Sequence, residues 1–189
     1  MACFAYSGFF IRFDYLKKTS KSLKTADSQE EVLKIKSGGL LILWVFVLQG
    51  MGFLLGLLTR ANISPWYEHL NKSMLTPPPW VFSSVWILLY VLLAIVGWAL
   101  WDDRKRGGIK PLFYLYLVQL FMNWMWTLFF FQWHWLGFSF LWIILIAGVT
   151  GVLIFQLYDR KRVLAVLLMP YLTWLAFAAY LNGVIWFFN

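Results

Sequence analysis

The stretch WVFSSVWILLYVLLAIVGWALW, Trp80 to Trp101, runs for 22 residues without a single charge. As a helix rising 1.5 Å per residue it would be about 33 Å long, enough to cross a hydrocarbon core of about 30 Å. Four more runs share this character: Gly39 to Leu58, Leu112 to Gln132, Leu136 to Tyr158 and Leu164 to Phe188. The chain as a whole is 62% hydrophobic and 13% charged, against about 25% charged in a soluble domain. A transmembrane barrel would show strands of about 10 residues alternating apolar with polar, and these runs do not alternate. The expectation is an all-α integral membrane protein, a bundle of five transmembrane helices in which each span satisfies its own backbone polar groups.

Charge sets the expected orientation, because Lys and Arg are retained on the cytoplasmic side. Seven precede the first span (Arg12, Lys17, Lys18, Lys21, Lys24, Lys34 and Lys36). The second loop holds four (Arg104, Lys105, Arg106, Lys110) and the fourth holds three (Arg160, Lys161, Arg162). The first loop has only Arg60 and Lys72, and the third loop and C-terminus have none. Fourteen basic residues against two place the N-terminus in the cytoplasm and the C-terminus opposite. The net charge of +8 is thereby an orientation signal, and nucleic acid is not an expected partner.

Residues 1–37 read as a basic, aromatic cytoplasmic extension ahead of a membrane domain at 38–189. The apolar run there is too short and interrupted for a signal-peptide core, and no small-residue cleavage site follows. Asp27-Ser28-Gln29-Glu30 resembles a capping box, and Glu30 with Lys34 forms an i, i+4 pair, so a short helix is expected to lead into the first span. A solvated tail touching anionic lipid is its plainest role.

Several chemistries lack their residues. The single cysteine, Cys3, permits no internal disulfide and no CxxC site. Two histidines, His69 and His134, fall in outer loops and make no metal set. There is no GxSxG, HExxH, P-loop or GxGxxG. All eight acidic residues lie in the tail, the loops or at helix ends, whereas an ion pump places ionisable groups at membrane depth. No required cofactor and no metal are expected.

The spans instead carry aromatic rings and a few amides. Edge residues such as Trp44, Trp98, Trp101, Trp133, Trp135 and Trp186 suit an interfacial belt. Others line up on helix faces: Gln119, Asn123 and Trp126 on the third span; Tyr171, Trp174, Ala178 and Asn182 on the fifth; Trp86, Tyr90 and Gly97 on the second. Amides in hydrocarbon are costly without partners, so these faces are expected to point inward. The pattern fits interhelical glue and a ligand pocket equally well.

The segments SPWYEHLNKSMLTPPPWVFSSVWILLY, QLFMNWMW and MPYLTWLAFAAYLN resemble the translocator protein family, also called tryptophan-rich sensory proteins or peripheral benzodiazepine receptors. The resemblance rests on Trp66, Tyr67, Leu70, Lys72, Pro77 to Trp80, Trp86, Tyr90, Gln119, Asn123, Trp126, Pro170, Tyr171, Trp174, Leu181 and Asn182, in the family's order, and covers Gly39 to Asn189. It implies a five-helix bundle, commonly dimeric, that binds porphyrins such as protoporphyrin IX, sterols in some members, and isoquinoline or benzodiazepine ligands.

Carried over by position, the pocket would be lined by Trp86, Tyr90, Asn123, Trp126, Trp174, Ala178 and Leu181, with Trp66 and Tyr67 in a lid-like first loop. The expected activity is a membrane receptor or sensor for haem-like tetrapyrroles. The alternatives are a transporter of tetrapyrroles or lipids and a light-dependent porphyrin-degrading enzyme, in which Trp86 and Trp174 would be the redox-active residues. The expected membrane is a bacterial inner membrane, and a mitochondrial outer membrane is also compatible. Two departures stand out: Phe187 occupies the place of the Arg of the proposed sterol motif, and Ser73 stands where many relatives have Pro. Among the prolines, Pro77 and Pro78 each precede another proline and are expected to be extended, leaving Pro79 to open the second helix.

Overall fold

Pro78 is extended (φ −63°, ψ 154°) and Pro79 is the first residue of a helix. The missing N–H of a proline costs nothing at that position, and the helix runs from Pro79 to Asp102. In this computed structural model, which describes residues 38–105 and 107–189, five helices are long and apolar enough to cross a membrane: α1 Gly38–Ala61, α2 Pro79–Asp102, α3 Lys110–Gln132, α4 Leu136–Tyr158 and α5 Arg162–Phe188. Among the described residues there is no strand. The capping box, the Glu30–Lys34 pair, Cys3 and Arg106 lie outside the described residues.

Residues 41–189 form one unit. The α4–α5 pair shares the most extensive interface, α3 packs on α4, and α2 touches both α3 and α5. Side chains of α1 complete the circuit. The Gln49 amide donates to the Ile87 carbonyl of α2 at 2.8 Å, and Trp44 meets Phe113 and Tyr116 of α3 edge-on. Trp44 is therefore packed between helices, and its role is not that of a belt residue alone.

Glycines permit two of these approaches. A Cβ at Gly97 would lie 2.7 Å from the Tyr116 hydroxyl and 2.9 Å from the Trp44 ring, and one at Gly52 would lie 2.7 Å from the Tyr90 ring. Gly56, Gly148 and Gly151 have open space instead. Of the GxxxG pair Gly52/Gly56, only the first residue is used inside the bundle.

The two ends differ. At the end carrying the α2–α3 and α4–α5 connections, here the basic end, Lys161 pairs with Asp103, and Arg104 lies 3.5 Å over the Trp101 ring. At the opposite end, the last turn of α3 widens into a π-helical turn over Leu128–Gln132, with Trp133 N–H bonded to the Leu128 carbonyl at 3.0 Å. A wider turn lets two consecutive residues face inward, and both Phe130 and Phe131 are buried. His134 then reverses the chain with a left-handed φ of 56°.

Candidate functional site

The inward faces read from the sequence are inward in the structure. Gln119, Asn123 and Asn182 are buried polar residues, at 0%, 3% and 4% exposure. Trp86, Trp126, Trp174 and Ala178 are half-buried and pack on the core, and Tyr90 and Leu181 are buried.

These residues gather in three groups. On α2, Trp86 lies 5.4 Å from Tyr90, whose hydroxyl is turned toward Asn123 and Trp124 of α3. On α5, Trp174 packs edge-on against Phe82 at 5.7 Å and beside Phe177. Near the end of α3, Trp126 stacks on Phe130 at 5.3 Å with 17° between planes. Trp126 packs against both apolar clusters of the protein and so joins the bundle interior to the first loop. No ring contact joins Trp86 to Trp174 among the described residues, so the two indoles named for photochemistry have separate neighbours.

The first loop covers the third group. Ile63–Tyr67 forms a π-helical turn broken by extended Ser64 (φ −110°, ψ 132°). It presents Trp66 to Phe130 at 5.6 Å and to His134, on which it stacks at 3.8 Å, and Tyr67 to Phe131 at 5.7 Å. Burial raises the Tyr67 phenol above its ordinary value, since the charged form would lose water.

Lys72 holds this segment together. Its ammonium donates to the carbonyls of Tyr67, Glu68 and Leu70 at 2.8, 2.9 and 3.1 Å and lies 5.0 Å over the Tyr67 ring. The loop is then clasped to α5. Asn71 N–H donates to Asn189 Oδ1 at 2.8 Å, the Asn71 amide donates to the Phe188 carbonyl at 3.1 Å, and Asn189 Nδ2 returns a bond to the Asn71 carbonyl at 3.1 Å. The Ser73 and Tyr180 hydroxyls meet at 3.0 Å, so the serine that departs from the family pattern ties the loop to α5. An open groove of about 670 Å³ runs beside this clasp, lined by Met74, Leu75, Tyr180 and Val184 among others.

Sequence reading did not single out Phe82, Phe130, Phe131 or the Asn71–Asn189 clasp, and it named His134 only as an outer-loop histidine. Phe82 had a signal, since it sits one turn before Trp86 on the same face. The clasp had none, because its partners are 118 residues apart.

Polar atoms inside the bundle remain without hydrogen-bond partners: Trp126 Nε1, Ser139 Oγ and Asn182 Oδ1 among them. Buried polar groups are normally satisfied, and this interior sets donors and an acceptor next to indole faces.

Five spanning helices around an aromatic, amide-bearing interior define an integral membrane protein of the helix-bundle class. The chain belongs to the TspO/MBR family, whose model matches residues 44–187. It is similar to the Tryptophan-rich protein TspO of Archaeoglobus fulgidus, with 29% identity over 151 residues, 79% of this chain and 96% of that protein. It is also similar to the Translocator protein of Homo sapiens, with 34% identity over 126 residues, 64% of this chain and 73% of that protein, and to that of Bos taurus, with 32% over 138 residues, 71% and 81%.

Proposed function

We propose that the protein is a membrane receptor for porphyrin-like tetrapyrroles, bound inside the helix bundle beneath the first loop, with the N-terminus cytoplasmic as the loop charges require. The reading is supported by Tyr90 lying in the core of the bundle with Trp86, Trp126 and Trp174, from three helices, half-buried against it, in an interior that also holds the buried amide of Asn123. Indole and phenol faces stack on a flat macrocycle, and the amide supplies a directional donor. Trp66 and Tyr67 close the site from the loop.

Titrating the protein in nanodiscs with protoporphyrin IX while following Trp quenching tests this reading. Saturable quenching is expected, and the double variant Trp86→Phe, Trp174→Phe should weaken binding about tenfold, since each aromatic stacking contact is worth about 0.5–1.5 kcal/mol. Unchanged affinity would overturn the pocket assignment. Illumination separates a receptor from a degrading enzyme, because an enzyme bleaches the porphyrin band and loses that ability when either Trp is removed. Flux into proteoliposomes identifies a carrier.

A further inference from the structure

A second set of unpartnered polar atoms lies deeper than the residues just described. Both polar atoms of the Gln119 side chain, Thr150 Oγ1 and the Tyr171 hydroxyl have no hydrogen-bond partner, and all three residues are 0% exposed. They come from α3, α4 and α5, three helices packed in sequence on one another. From Lys110 to Gln119, from Tyr158 back to Thr150 and from Arg162 to Tyr171 is eight or nine residues in each case. At 1.5 Å per residue all three stand about 12–14 Å from the basic end, close to the middle of a ~30 Å hydrocarbon core. The Tyr116 hydroxyl is already engaged, donating to the Leu93 carbonyl at 2.8 Å.

The chemistry of the set selects its occupant. No charged side chain stands among these residues, so neither an anion nor a cation would find a counter-charge at membrane depth, where an ion is most expensive. Among the described residues there is no group of three metal-ligating His, Cys, Asp or Glu side chains. The amide offers two donors and an acceptor, and each hydroxyl offers one donor and two acceptor lone pairs. Left dry, this many polar atoms in hydrocarbon would be among the costliest features of the bundle. Water fits this mixed, neutral set, since a buried water makes about three hydrogen bonds to groups that otherwise lack them.

We propose that Gln119, Thr150 and Tyr171 form an internal water site at the centre of the bundle, one helical turn deeper than Asn123. The site does not depend on porphyrin binding. It bridges α3, α4 and α5 by a bonded solvent molecule, so the three helices are locked in register by a polar contact that no pair of side chains makes directly.

Two measurements on the full chain in nanodiscs decide the matter. In solid-state NMR with magnetisation transferred from water, the Gln119 side-chain amide, assigned by its loss in Gln119→Leu, should build up within about twofold of the rate for exposed Gln156. Build-up no faster than that of the buried Leu93 methyl groups would overturn the proposal. In thermal unfolding, Thr150→Val and Tyr171→Phe should each lower the Tm, because each strands the water's remaining partners. The triple variant with Gln119→Leu should recover most of the loss, because it removes the whole set. Single changes that raise the Tm or leave it unchanged, with a triple equal to their sum, would show independent dry groups and overturn the shared site.

Discussion

Helices α1 and α3 both cross the membrane, yet they relate to it in opposite ways. The most apolar 18-residue stretch of α1 has a mean hydropathy of 2.3 and is only 6% buried by the protein, whereas that of α3 has 1.3 and is 50% buried. In water the more apolar helix would be the inner one. Here lipid accepts apolar surface as readily as the protein does, so burial follows what lipid will not accept: Gln119, Asn123 and the ring faces of α3. The inside of this protein is marked by polarity and by close fit.

That contrast is open to breaking, and the largest effect is expected on α3. Trp126→Ala removes the ring that joins the interior to the first loop and should cost about 3 kcal/mol, at the low end for a large-to-small aromatic change because the ring is only half-buried. Phe46→Ala on α1, at 73% exposure, should cost less than about 0.5 kcal/mol. Equal losses in thermal or chemical unfolding would abolish the distinction between the two helices.

Next in size is a test within α1 itself. Gly52→Leu drives a side chain into the Tyr90 ring, while Gly56→Leu enters open space. The first should destabilise by about 1–3 kcal/mol through overpacking, and the second should leave the Tm unchanged. A loss at Gly56 of similar size would mean that the lipid-facing side of α1 is covered by another chain.

Smaller effects belong to the loop that joins α1 to α2 and packs on the end of α3. Asn71→Ala removes two of the bonds to α5 donated by its side chain, each bond being worth about 1 kcal/mol. Protease cleavage within residues 62–78 should accelerate about tenfold while the bundle stays folded, as read by gel and circular dichroism.

The smallest effect appears only in alkali. Because burial raises the Tyr67 phenol, its packing contribution is whole below the ordinary tyrosine range near pH 10. It fades as pH rises from there through the raised value, since the released chain ionises first. Trp66 fluorescence should report loop loosening in that window, and Tyr67→Phe should remove it.

How much of this could be read from the residues follows the same division. The five spans were legible because their length answers to the bilayer, and the inward faces because amides in hydrocarbon must turn to the interior. Pro79 at the start of α2 was legible because two preceding prolines restrict the backbone. What escaped was set by geometry with no periodic trace: the π-helical turn that buries both Phe130 and Phe131, the left-handed His134, and the pairing of Asn71 with Asn189. The interfacial reading of Trp44 underestimated it, because a belt residue and a packing residue look alike until the facing Gly97 is known.

The three bonds from Lys72 have a mechanical meaning. A segment whose carbonyls are gathered on one ammonium cannot unravel residue by residue, so any opening must swing Ile63 to Leu70 as a single plate. Its bearings would be Asn62, where α1 ends, and the proline post at Pro77 to Pro79, two points that restrict the motion to one axis. Loosening of this segment is then expected to be all-or-none, following the release of the Asn71–Asn189 clasp.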